Sequence, residues 1–164
     1  MPELPDDFHL PRYAVVPDVG LYLDQVVRWL NRSLQPLSLP EVTPSMVSNY
    51  VKKGYVTAPV RKQYSSEQLG RLLLLAIGKN VLMMDDLARL LKQWDQDPRP
   101  FSLRYDLYCE DLEQALSAAF SGEQLPKESA AGRLLRSLNI AVSHIILLNL
   151  SLSKGPQADD IIPV

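Results

Sequence analysis

Apolar residues recur along this chain mostly at three- and four-residue steps, the period of helices packed on one side. Leu23, Val26, Val27, Leu30 and Leu34 mark an amphipathic helix over 22–34. Asp24 falls in its first turn and Arg28 and Arg32 toward its end, as the helix dipole favours. Pro36 and Pro40 make 35–42 a connection. Thr43-Pro44 then signals a start: a capping hydroxyl, followed by a residue whose missing N–H costs nothing at the first helical position. Gly54 supplies the stop. On this short helix Val47, Tyr50 and Val51 fall on one side, and Ser45, Ser48, Asn49 and Lys52 on the other. Residues 55–64 alternate Val56, Ala58 and Val60 with polar neighbours and predict a small β-hairpin or loop.

Ser65-Ser66-Glu67-Gln68 has capping-box form and opens a helix with Leu69, Leu72, Leu73 and Ala76 as its stripe. Asp85 and Asp86 open another, carrying Leu87, Leu90, Leu91 and Trp94. Beyond a turn-rich stretch at 95–104, two longer helices are expected. One covers 105–120, with Tyr108, Leu112, Leu116 and Ala119 on one stripe. The other covers 129–154, with Leu134, Leu138, Val142, Ile145 and Leu152 on one face and Leu135, Ile146 and Leu150 elsewhere. So wide an apolar circumference predicts burial on more than one side. The organisation that follows is an extended arm at 1–20, a domain at 21–95, a helical region at 104–154 and a loose tail at 155–164.

Composition changes this picture only in places. The one cysteine, Cys109, excludes an internal disulfide and any multi-cysteine zinc site; it suits a reducing compartment and reads as a small buried residue. Glu3, Asp6, Asp7 and four prolines within 1–19 do not make a signal segment. The apolar run Leu138–Leu152 is broken by Asn139, Ser143, His144, Asn149 and Ser151, and is shorter than the roughly 20 residues a bilayer span needs. A soluble cytoplasmic protein with no membrane partner is expected. Charge matters more. The net charge is −2, yet residues 44–79 hold Lys52, Lys53, Arg61, Lys62, Arg71 and Lys79 against Glu67 alone. A local basic patch on an acidic chain is the footprint of a focused phosphate contact.

The order helix, connection, short polar-faced helix, basic hairpin, helix, helix predicts a mainly α protein with a winged helix-turn-helix, a small β wing and a C-terminal helical dimerisation region. A helix entering the major groove needs a slim outer face and a firm back. Ser45, Ser48 and Asn49 give the first, and Asn can pair with adenine in a bidentate way. Val47, Tyr50 and Val51 give the second. Lys52, Lys53, Arg61 and Lys62 would neutralise phosphates on either side.

The stretch from Thr43 to Val56, followed by Lys62-Gln63-Tyr64-Ser65 and a leucine-rich helix, resembles the DNA-binding head of MerR-type regulators. It is more closely similar to a bacterial group that joins such a head to a different helical C-terminal region, where Leu21–Gln25 matches the start of the first helix. The resemblance covers about residues 21–92. It implies that Tyr50, Lys62 and Tyr64 are backbone contacts or supports of the wing. Three departures stand out: Ser48 replaces an arginine, Met83 replaces a capping serine, and no long antiparallel helix follows residue 95. MerR-type DNA distortion and metal sensing therefore lie outside what the resemblance implies.

The function expected is a sequence-specific transcriptional regulator that binds an inverted repeat in double-stranded DNA as a homodimer. Two rivals are a protein-interaction module on a winged-helix scaffold that has lost DNA, and a regulator that senses a ligand in a C-terminal apolar pocket. His9 has no metal-ligand neighbour in sequence, and His144 reads as a core histidine of the last helix. No nucleophile set, phosphate loop or catalytic carboxylate pair stands out, so no enzyme, cofactor or metal is expected.

Overall fold

A computed structural model of the protein describes residues 3–4, 8–126 and 128–154; the expected tail at 155–164 lies outside them. Among the described residues there are six α-helices: α1 (Leu23–Leu34), α2 (Pro44–Lys52), α3 (Ser66–Gly78), α4 (Met84–Trp94), α5 (Phe101–Ser121) and α6 (Arg133–Ser153). The mainly helical class holds. The expected β wing does not form strands; among the described residues there are two single antiparallel pairings, Leu21 with Tyr64 and Val60 with Gln63.

α3 lies at the centre. Every residue from Gln68 to Gly78 is buried except Arg71, so neighbours cover the helix on all sides. Gly70 and Gly78 let two of them approach: a Cβ at Gly70 would lie 3.0 Å from the Phe101 ring, and one at Gly78 would lie 2.8 Å from Leu87. The same core takes in Val26 and Leu30 of α1, Val47 of α2, Leu87 of α4, Tyr105 and Leu112 of α5, and Leu138 of α6. Residues 21–95 and 104–154 are therefore two parts of one packed body, not a head and a separate appendage.

The arm is not free either. Its Leu10 and Val16 are buried, Tyr13–Val15 forms a short 3₁₀ turn, and the arm lies on α5. There the Tyr13 N–H donates to Asp106 Oδ1 at 2.7 Å and the Tyr105 hydroxyl donates to the Pro11 carbonyl at 2.6 Å. His9 and Arg12 both pair with Glu113. Cys109 is buried beneath the arm, and burial pushes its thiol up to about 12, which keeps it protonated.

α5 begins at Phe101, four residues before the expected start, directly after Pro100. Its contacts with α6 advance in step along both helices. Arg99 donates to the Ala130 carbonyl, Asp111 receives Arg136 and Asn139, and Ala118 and Ala119 line a crevice with Ile140 and His144. The two helices therefore run parallel. Asp111, 1 % exposed, is the hub: it accepts from Arg136 Nε at 2.8 Å, Asn139 Nδ2 at 2.8 Å and Ser129 Oγ at 2.5 Å.

α6 is longer than the run expected, and by length and composition alone, with an 18-residue stretch of mean hydropathy 1.4, it is apolar enough to cross a bilayer. It is also not buried on more than one side. Leu135, Leu138, Val142 and Ile146 face the core, whereas Leu134, Ile140, Leu148 and Leu152 are exposed on a single opposite arc. His144 sits on that exposed arc, not in the core.

Removing one member of a buried ion pair leaves the other charge unsolvated, at a cost of about 3–5 kcal/mol. Asp111→Ala is expected to lose stability on that scale, lowering Tm by roughly 10 °C in a thermal melt. A melting point within about 2 °C of the parent would remove the hub role.

Candidate nucleic-acid interface

α2 is held at both ends. At its entry, the Thr43 Oγ1 accepts from the Met46 N–H at 3.2 Å. One residue earlier, Asn31 of α1 acts as a peptide mimic, accepting the Val42 N–H at 2.7 Å and donating to the Val42 carbonyl at 3.0 Å. At its exit, Gly54 (φ +78°) takes the left-handed conformation that closes the helix. The Tyr55 N–H then reaches back to the Tyr50 carbonyl at 2.9 Å and the Gly54 N–H to that of Val51 at 3.0 Å. Tyr55 packs beside Tyr50, ring centres 6.4 Å apart, and its hydroxyl donates to Asp85 at 3.0 Å.

Between these clamps Val47 and Tyr50 enter the core, while Ser45, Ser48, Asn49, Lys52 and Lys53 are exposed. The wheel read from the sequence is thus the orientation the helix adopts. Tyr64, like Tyr50, is about 95 % covered, and burial raises both hydroxyls above the usual tyrosine range. Both rings are supports.

Residues 55–64 are shaped by Gln68, the last member of the capping box. Its carbonyl accepts the Ser65 N–H at 2.8 Å, and its amide donates to the Thr57 and Ala58 carbonyls, each at 3.0 Å. The chain then reverses at Val60–Gln63, whose N–H and C=O groups pair both ways at 2.9 and 3.2 Å. The two residues at the tip, Arg61 (φ +52°) and Lys62 (φ +63°), are both left-handed. Tight hairpins that demand this at both positions favour Asn-Gly, and an ordinary side chain there costs about 1–2 kcal/mol. Such strain persists where the surroundings enforce it, and it concentrates at functional sites.

The basic patch is narrower than the sequence implied. Arg71 pairs with Asp95 at 2.5 Å and lies over the Trp94 ring. Lys79 approaches the Met46 sulfur at 3.7 Å, and burial lowers its pKa. Lys52, Lys53, Arg61 and Lys62 remain, exposed and with no carboxylate partner among the described residues. Two positioning residues were missed in the sequence. Gln68 carried a signal in its capping-box place; Asn31, one polar residue on a helix, carried none. Among the described residues no group of His, Cys, Asp and Glu side chains is placed to hold a metal ion. What the surface offers is small hydrogen-bonding groups on a firmly backed helix, flanked by free cations.

A family model described as a domain of unknown function, DUF1836, matches residues 11–108, well over half of the chain. The matched span takes in the second half of the arm, α1 to α4 and the first part of α5, in keeping with their common core. Neither the curated proteins nor the solved structures yield a match.

If the 61–62 turn is strained, Asn-Gly should relieve it. The double variant Arg61→Asn, Lys62→Gly is expected to gain about 1 kcal/mol and a few degrees in Tm. A variant less stable than the parent would show that the two long side chains stabilise the turn.

Proposed function

The chain belongs to the DUF1836 family, and we propose that this member is a cytoplasmic, dimeric, sequence-specific transcriptional regulator and not an enzyme. In this reading residues 21–95 form a MerR-like winged helix-turn-helix. α2 is the recognition helix and the 60–63 turn is a wing reduced to its tip.

One observation carries the reading. Ser45, Ser48 and Asn49 are exposed on a helix whose opposite side, Val47 and Tyr50, is locked into the core. A helix whose short polar groups were covered by its own chain could enter no groove. On the first two turns of that face the exposed side chains are the short Ser45, Ser48 and Asn49, and the longer Lys52 and Lys53 follow at its end. Arg61 and Lys62 lie on a separate element, so cations bracket the helix as two DNA strands bracket a major groove. The strained turn supports the same reading, because it keeps two cations where uncharged residues would be more stable.

Dimerisation rests on α6. Leu134, Ile140, Leu148 and Leu152 on one arc of an otherwise packed helix suit a second copy related by a two-fold axis. Two heads joined in this way would read an inverted repeat with half-sites about one helical turn apart.

Two measurements test this. Binding to mixed-sequence duplex DNA should weaken steeply with salt, log K falling by about 0.9 per log unit for each phosphate neutralised. Lys52→Glu with Lys62→Glu should abolish binding without lowering Tm; unchanged affinity would end the assignment of α2 and the turn. In sedimentation at micromolar concentration the chain should run as a dimer, and a monomer there would remove the two-fold arrangement.

A further inference from the structure

Between the start of α1, the start of α2 and the 60–63 turn lies a cleft of about 490 Å³ that none of the readings above uses. Its lining is largely apolar: Tyr22, Leu23, Pro44, Pro59 and the edge of Tyr64, with Lys62 and Asp24 beside them. Tyr22 is half exposed, and its hydroxyl accepts from Gln63 Nε2 at 3.3 Å, so its ring is tied to the turn while leaving one side open.

We propose that this cleft is a DNA backbone subsite that takes the apolar face of one deoxyribose, with the Lys62 ammonium on the adjoining phosphate. The inference rests on the DNA-binding reading and deepens it. Three features point to this occupant. The cleft adjoins the first residue of α2, so a strand passing between the recognition helix and the turn crosses it. The left-handed conformation of Lys62 brings a cationic side chain to an apolar lining, where the four-carbon stem covers surface and the charge stays at the rim. The bracketing cations Lys62, Arg61 and Lys52 have no carboxylate partners among the described residues, which matches a polyanion. Asp24 opposes a phosphate, but it lies in the first turn of α1, where the helix N-terminus offsets its charge. A sugar, apolar on one face and linked to phosphates at both ends, fits this pattern.

A sugar contact and a phosphate contact leave different marks on salt dependence. Losing an apolar contact lowers affinity equally at every salt concentration, whereas losing a phosphate contact also flattens the slope. Tyr22→Ser is therefore expected to weaken binding of a mixed-sequence DNA duplex roughly tenfold, the scale of uncovering part of one aromatic ring, with the slope unchanged. Tyr22→Phe, which keeps the ring and loses only the bond to Gln63, should bind like the parent. Lys62→Gln should flatten the slope by about one unit. Melting curves of all three establish folding. If Tyr22→Ser binds like the parent while Lys62→Gln flattens the slope, the cleft is no subsite and the regulator reading stands. If the parent protein binds no duplex at low salt, the regulator reading itself fails.

Discussion

A helix buried on every side can have no polar face, and it must be slim wherever its neighbours come closest. α3 meets both demands, with a nearly unbroken apolar run from Leu69 to Ile77 and glycines at 70 and 78 under Phe101, Tyr105, Leu87 and Leu138. Each fully covered leucine or isoleucine contributes on the order of 1.5–3 kcal/mol, and the run supplies the largest share of the core. Because α1 packs with it as well as α5 and α6, and α2 packs on α1, the surface that carries Ser45, Ser48 and Asn49 has no independent foundation. Its rigidity is that of the whole body.

The junction expected at 95–104 illustrates the point. A linker between domains would be polar and mobile; instead Arg104 seals it. Its guanidinium stacks 4.5 Å over Trp94 at the end of α4 and donates to the Trp94 and Arg99 carbonyls at 3.2 and 3.0 Å. The arm adds a second tie. It is held on α5 through Tyr13 and Pro11, its Pro17 carbonyl accepts from Ser66 of α3, and Leu21 ends it by pairing with Tyr64 beside the cationic turn. The arm thus joins α5, the start of α3 and the base of the turn through hydrogen bonds.

What was legible in the sequence was local. The cap at Thr43, the stop at Gly54 and the wheel of α2 depend on residues within a few positions of one another, and the structure has them as read. The wing was misjudged because alternation at Val56, Ala58 and Val60 says nothing about a partner strand. Pro59 lacks a donor, and only Leu21 and the turn itself supply pairing groups, too few for a ladder. The start of α5 was hidden because Phe101 is held edge-on against Tyr13 of the arm and Trp94 at the end of α4, contacts that no local pattern in 101–105 reveals. Arg71 looked like part of a basic surface until Asp95 and Trp94 claimed it.

α6 shows why hydrophobicity alone cannot decide which side of a helix is inside. Its buried arc carries Arg136, Asn139 and Ser143, and its open arc carries Leu134, Ile140, Leu148 and Leu152. The polar members go inward because Asp111 is already there, and a lone buried carboxylate would cost more than the four leucine-type side chains lose by staying in water. The left-handed Arg61-Lys62 turn, like Ser38 at φ +52°, departs from what the backbone of an ordinary residue favours. Local rules are broken in natural proteins chiefly where something outside the fold completes the arrangement. In the proposed reading an anion would answer the charges of the turn, and an apolar surface would cover the open arc. A polyanion and a second copy of the chain would satisfy one each, on different elements of a single core.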